Sequence, residues 1–117
     1  MTRITLPWPP SVNRYWRNIN GRTLVSREGR AYRAAVLSEV LLQGAAQHYR
    51  GRLRMVIVAH PPDRRRRDLD NLVKAIQDGL EFAGVFDDDG QIDDLRVVRA
   101  ERVPGGRVVV EVEEVST

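Results

Sequence analysis

The stretch that most limits how this chain can fold is residues 53–60, Leu-Arg-Met-Val-Ile-Val-Ala-His, closed by Pro61-Pro62. A nearly continuous apolar run rich in β-branched side chains, stopped by prolines, predicts a largely buried strand. Such a strand needs cover, and two flanking segments carry helical periodicity. Ser26 suits an N-cap for a helix running to about Gln43, with Tyr32, Ala35, Val36, Glu39 and Val40 at helical spacing and Gly44 beyond its end. A second helix is predicted from about Asn71 to Ala83, striped by Leu72, Ile76, Leu80 and Ala83 and ended by Gly84.

Residues 3–7 alternate as a short strand before Pro7-Trp8-Pro9-Pro10 forces extended or turning chain, and residues 11–25 read as a long loop or irregular hairpin. Leu95 to Val103 and Arg107 to Val115 predict a final hairpin around Pro104-Gly105-Gly106. The order β-α-β-α-β-β describes an α/β (α+β) fold, a mixed β-sheet with two covering helices. One domain over residues 1–117 is expected, small enough that dimerisation adds useful buried surface.

Charge narrows the function. The net charge is only +3, but residues 1–67 hold fourteen arginines against Glu28, Glu39 and Asp63, a balance of +11. Residues 68–117 hold Lys74 and four arginines against thirteen acids, a balance of −8. A polyanion-binding surface joined to an acidic pocket fits this split, with nucleic acid as the polyanion and a hard cation to gather the carboxylates. With no cysteine, disulfides, thiolate nucleophiles and zinc–cysteine sites are excluded. No stretch approaches the roughly 18 apolar residues of a membrane span, and the N-terminus lacks a signal peptide's apolar run, so a soluble cytoplasmic protein is expected.

The chain's single lysine, Lys74, follows Asp68-Leu69-Asp70-Asn71 and the run Arg64-Arg65-Arg66-Arg67. In extended chain, Asp68 and Asp70 project to one side roughly 6–7 Å apart at Cα, while Leu69 faces the core. Lys74 lies one helical turn beyond Asp70, with Asp78 a turn further. Plainer readings stand beside this one: Asp70 as an N-cap, and Lys74 with Asp78 as an exposed pair.

Asp87-Asp88-Asp89-Gly90 is a second acidic cluster, either a solvated turn or part of a cation site. It is not an EF-hand, because Gly90 as the turn glycine would put Val85 and Arg96 at ligand positions. A thirteen-residue helix is about 20 Å long, and five steps of chain from Gly84 span at most roughly 17 Å. Asp89 therefore returns towards Asp68 and Asp70 only by running nearly straight; otherwise a second subunit supplies it.

These residues resemble the RusA-type Holliday junction resolvases, small endodeoxyribonucleases. The resemblance runs from Ile4 to about Glu113. It is carried by Ile4-Thr5-Leu6-Pro7-Trp8-Pro9-Pro10-Ser11, Asn13-Arg14-Tyr15, Gly21-Arg22-Thr23 and the specific run Asp63-Arg64-Arg65-Arg66-Arg67-Asp68-Leu69-Asp70-Asn71-Leu72. Lys74-Ala75, Ala83-Gly84, Asp88-Asp89 and Arg96-Val97-Val98 extend it. It implies Asp68, Asp70 and Asp89 as ligands of Mg2+ and Lys74 as a catalytic lysine. It also implies DNA contacts from Ser11, Asn13, Arg14, Arg64, Arg65, Arg66, Arg67 and Asn71. A homodimer cutting a four-way junction at symmetric positions, with a preference for CC sequences, is implied as well. Val12 and Trp16 depart from the pattern, which has Asn and Tyr there. Tyr15 and Trp16 suit either base stacking or packing of the N-terminal loop. Three other readings remain: a metal-dependent nuclease on other branched or duplex DNA, a non-catalytic nucleic-acid-binding module, and a structural protein with a salt-bridged acidic half.

Overall fold

The computed structural model describes residues 1–115. Four strands form one sheet: β1 (Thr2–Pro7), β4 (Leu53–His60), β5 (Ile92–Arg99) and β6 (Arg107–Glu114), in the order β1-β6-β4-β5. β6 runs antiparallel to both β1 and β4, while β4 and β5 are parallel and joined through a helix. The sheet is therefore mixed, as expected.

The expected final hairpin does not form. β6 pairs Val110 with both Ile4 and Ile57, so it inserts between β1 and β4 and leaves β5 on the far side of β4. Gly106 N donates to the Val103 carbonyl at 2.9 Å, so the chain turns tightly at Pro104-Gly105, but the connection crosses the end of β4 instead of joining paired strands. The first run also begins and ends earlier than its alternation suggests, at Ile92–Arg99.

Residues 11–25 hold more order than a loop. They form α1 (Val12–Tyr15) and a two-stranded hairpin, β2 (Trp16–Ile19) with β3 (Arg22–Val25). The turn between these strands is Asn20-Gly21, both at positive φ (51° and 75°), as a tight hairpin requires.

Two longer helices cover one face of the sheet. In α2 (Arg27–Leu42), the Ser26 side chain accepts a hydrogen bond from Gly29 N at 3.0 Å, the predicted N-cap. Tyr32, Val36 and Val40 form its buried stripe. In α3 (Asp70–Phe82), Leu72, Ala75, Ile76, Gly79 and Leu80 are buried, and Gly84 follows its end at φ 84°. These side chains meet alternate residues of the sheet, among them Ile4, Leu6, Leu53, Met55, Ile57, Val110 and Val112. Each large aliphatic side chain so buried contributes roughly 1.5–3 kcal/mol, and this packing holds α3 at a fixed height over β4.

Two close approaches set the helices' positions. A Cβ on Gly79 would lie 3.0 Å from Val36 Cγ2, so glycine lets α3 settle against α2. A Cβ on Gly29 would lie 2.6 Å from the Tyr15 carbonyl oxygen, so α1 rests directly on the start of α2.

Tyr15 is fully buried, with Trp16 edge-on at 4.9 Å and Tyr32 at 6.4 Å between ring centroids. It is a packing residue, which removes it from base stacking. Its hydroxyl donates to Asp78, and Arg33 grips the same carboxylate with Nε at 2.7 Å and Nη2 at 2.9 Å. Burial of Asp78 favours the neutral acid, but the hydrogen bonds from Arg33 and Tyr15 outweigh it and hold the carboxyl below its ordinary value. Burial, then the bond to Asp78, pushes the Tyr15 phenol up. The pairing of Lys74 with Asp78 is therefore not formed; Asp78 ties α3 to α1 and α2 instead.

Arg33→Ala would strand a half-buried carboxylate, costing about 2–3 kcal/mol in denaturant unfolding, less than a fully buried pair because part of Arg33 reaches solvent. Because the folded pKa of Asp78 is depressed, its contribution is present above the unfolded value near 3.8 and is lost as pH falls below it. Asp78→Asn should accordingly flatten the acid limb of a stability-against-pH curve.

Candidate active site

The chain enters α3 through Asp63 to Leu69. Asp63 binds Arg67 Nη1 at 2.6 Å and Nη2 at 3.2 Å and accepts from Arg65 N at 2.9 Å; these bonds, Arg67 first, hold its carboxyl down to about 2. Arg67 also lies over the Trp8 ring, 5.7 Å from its centroid. Its carbonyl accepts from Arg99 Nη2 at 2.7 Å. The backbone just before Asp68 is thereby fixed from both sides.

Asp68 and Asp70 are exposed, and Leu69 between them packs against the core, as expected. The expected extended spacing is not found. Leu69 has helical angles (φ −61°, ψ −34°), Asn71 N donates to the Asp68 carbonyl, and Asp70 is the first residue of α3. Asp70 is not a side-chain cap either; as a first-turn acid it meets the positive end of the helix dipole. Among the described residues the side chains of Asp68, Asp70 and Lys74 form no ion pair or hydrogen bond with other side chains, and Lys74 is exposed one turn beyond Asp70. These charges are not consumed by the fold.

A groove of about 730 Å³ leads to Asp68. Trp8, Ser11, Arg14, Asn71 and the Arg65–Arg67 run line it. Five of the expected DNA-contacting positions besides Ser11 thus border one groove, while Asn13 is exposed on α1 and Arg64 faces a separate depression. α1 reaches the groove because its last residue is anchored below: Ser26 Oγ donates to the Arg14 carbonyl, and Ser26 N to the Tyr15 carbonyl at 2.8 Å.

Asp89 lies elsewhere. It opens a short 3-10 turn, Asp89–Gln91, and its backbone N–H donates to Glu81 Oε1 at 2.9 Å. Glu81, Asp88 and Asp89 each offer an oxygen within 4.8 Å of the others, and Asp68 and Asp70 belong to no such trio among the described residues. Glu81 follows Asp70 by eleven residues, about 16 Å of helix rise, so the two acidic groups sit at opposite ends of α3. One chain does not bring Asp68, Asp70 and Asp89 together.

Two residues of this second group escape a reading of the sequence. Glu81 carries one signal: an acid in the last turn of a helix opposes the dipole, and α3 has no base there to offset it. Gln91 carries none. It is buried, its Oε1 accepts from the N–H groups of Asp87 (2.9 Å) and Asp88 (2.8 Å), and its Nε2 donates to the carbonyls of Tyr49 and Gly51, both at 2.9 Å. Four backbone groups depend on that amide. Gln91→Leu should cost about 2–4 kcal/mol in denaturant unfolding and loosen the Asp87–Asp89 turn, read as faster amide exchange at residues 87–89.

The donor set fits a hard divalent cation. Asp68 and Asp70 at one end of α3, and Glu81, Asp88 and Asp89 at the other, offer carboxylate oxygens; exposed His48 lies against Gly84 beside the second group, and the buried His60 is occupied, its Nδ1 2.9 Å from the Glu101 carbonyl. Among the described residues no helix is long and apolar enough to cross a membrane.

Comparison with known proteins identifies the family. The family model for Endodeoxyribonuclease RusA matches residues 7–113. The chain is 50% identical over 115 residues to a crossover junction endodeoxyribonuclease RusA of Escherichia coli (strain K12), covering 95% of this chain and 92% of that one. It is 49% identical over 115 residues to the protein of that name in Enterobacteria phage 82, with the same coverage, and 40% identical over 115 residues to that of Enterobacteria phage HK97, covering 98% and 96%. The chain belongs to the RusA endodeoxyribonuclease family.

Proposed function

We propose that the protein resolves four-way DNA junctions as a Mg2+-dependent homodimer, cutting two opposed strands by phosphodiester hydrolysis. The observation that carries this reading is the arginine-lined groove that Asp68 borders, together with Asp70 and Lys74 on the first turns of α3, which have no side-chain partner among the described residues. The names of the relatives point to the same substrate.

Asp68 and Asp70 of one chain would hold the cation together with Asp89 of a second chain, since Asp89 of the same chain lies a helix length away. The bound ion supplies a Lewis acid at the scissile phosphate and an activated water. Lys74 places its ammonium against the charge that develops on the phosphate oxygens. Arg14, Arg65 and Arg66 neutralise the flanking phosphates, a contribution that depends on salt and carries little sequence information, while Arg67, paired with Asp63, holds the groove wall in place. A two-fold dimer matches the symmetry of a junction that needs two cuts.

The test is cleavage of a synthetic four-way junction, with a duplex of the same sequence as competitor. Paired nicks that require Mg2+ and survive excess duplex are expected. Equal cleavage of duplex would favour a general nuclease, and metal-independent binding without nicking would leave a DNA-binding module.

A further inference from the structure

A second basic surface lies on the other side of the Arg64–Arg67 run. Arg64, Arg65, Arg99 and Arg102 border a depression of about 780 Å³ between the Pro61–Asp63 turn and the loop joining β5 to β6. Arg65 lines both this depression and the groove that reaches Asp68, so the two adjoin. All four arginines are exposed, and none has a carboxylate partner among the described residues. Arg52 and Arg54, by contrast, are neutralised by Asp93, Asp94 and Glu113 on the sheet. Of the two acids at the depression, Asp63 is held by Arg67, which leaves Glu101 as the one opposing charge.

The loop is also preformed. Ala100 N donates to the Ala59 carbonyl at 2.8 Å, Val103 N to the Pro61 carbonyl at 3.0 Å, and His60 Nδ1 lies 2.9 Å from the Glu101 carbonyl. Gly106 brings the far end of the loop against Trp8 and Pro62, where a Cβ would lie 3.0 Å from each. Guanidinium groups without carboxylate partners, carried on a preformed loop beside the groove, are complementary to the phosphates of a duplex.

We propose that Arg99 and Arg102 bind the phosphate backbone of a junction arm beyond the cleavage point, so that the enzyme grips one duplex arm as well as the branch. This rests on the junction reading above and adds a contact surface to it. Arg99 has a second task in holding the Arg67 carbonyl, so Arg102 is the cleaner position to test.

Equilibrium binding by fluorescence anisotropy, in chelator so that no cutting occurs, would compare wild type with Arg102→Gln and Arg102→Glu. The substrates are a long-armed four-way junction and the same junction with its arms progressively shortened. On long arms, Arg102→Gln should make the slope of log affinity against log salt shallower by about 0.9, one phosphate contact. Arg102→Glu should weaken binding roughly fivefold to tenfold. As the arms shorten past the contact, variant and wild type should converge, while thermal unfolding of both variants stays at the wild-type midpoint. An unchanged salt slope on long arms, or a loss of affinity that persists undiminished on short ones, would overturn the arm contact while leaving junction cleavage intact. Wild-type protein that binds no junction would overturn both readings.

Discussion

Asp70→Asn is expected to bind a four-way junction normally yet cut it at least about a thousandfold more slowly in Mg2+, a barrier increase of roughly 4 kcal/mol. The substitution keeps the size of the side chain and removes its charge. Asp70 is exposed at the first residue of α3 and engages no other side chain among the described residues. Loss of its favourable position at the helix N-terminus costs only about 0.3–1 kcal/mol of stability. Single-turnover cleavage beside a gel-shift titration separates the effects, because a folding defect lowers both and loss of a cation ligand lowers only the first. Cleavage within tenfold of wild type would remove Asp70 from the site.

The second large effect comes from mixing defective chains. If each site takes Asp68 from one chain and Asp89 from its partner, Asp68→Asn and Asp89→Asn are each inactive as pure proteins. A mixed dimer then holds one site with both defects and one with neither. Random mixing makes about half of the dimers mixed, so about a quarter of the wild-type number of sites should return. The product is also distinctive: one intact site per dimer nicks the junction and does not resolve it in a paired event. Sites built within single chains predict no recovery. The expectation follows from the placement of Glu81 and Asp89 at the far end of α3 from Asp70.

Segments whose local chemistry is self-sufficient were legible in the sequence. Leu53–His60 declared itself by a β-branched run and two prolines, α2 by Ser26 and Gly44, and α3 by its stripe and Gly84. Pairing was less legible, because a period-two run defines a strand without naming its neighbour. The turn residues Pro104-Gly105-Gly106 suggested a hairpin, whereas β6 gains more burial between β1 and β4.

The site divides along the same line. Asp68, Asp70 and Lys74 stand out as candidates because their spacing is local, and the length of chain after Gly84 puts Asp89 at the limit of reach. Asp78 looked like a partner for Lys74 until Arg33 and Tyr15, 45 and 63 residues away in sequence, were brought against it. Gln91 shows no local sign of its role because its four partners are backbone groups, which carry no sequence signature.

The separation of the two acidic groups by the length of α3 has a kinetic consequence. If the proposed site draws Asp89 from a second chain, a solitary protomer holds only part of a reaction centre, and phosphodiester turnover per chain should collapse once the protein is diluted below its association threshold. Initial velocity should then rise with the square of total protein at low concentration and linearly at high concentration. On that reading the molecule would be inert while newly made and scarce, and would acquire cutting power only as copies accumulate and meet.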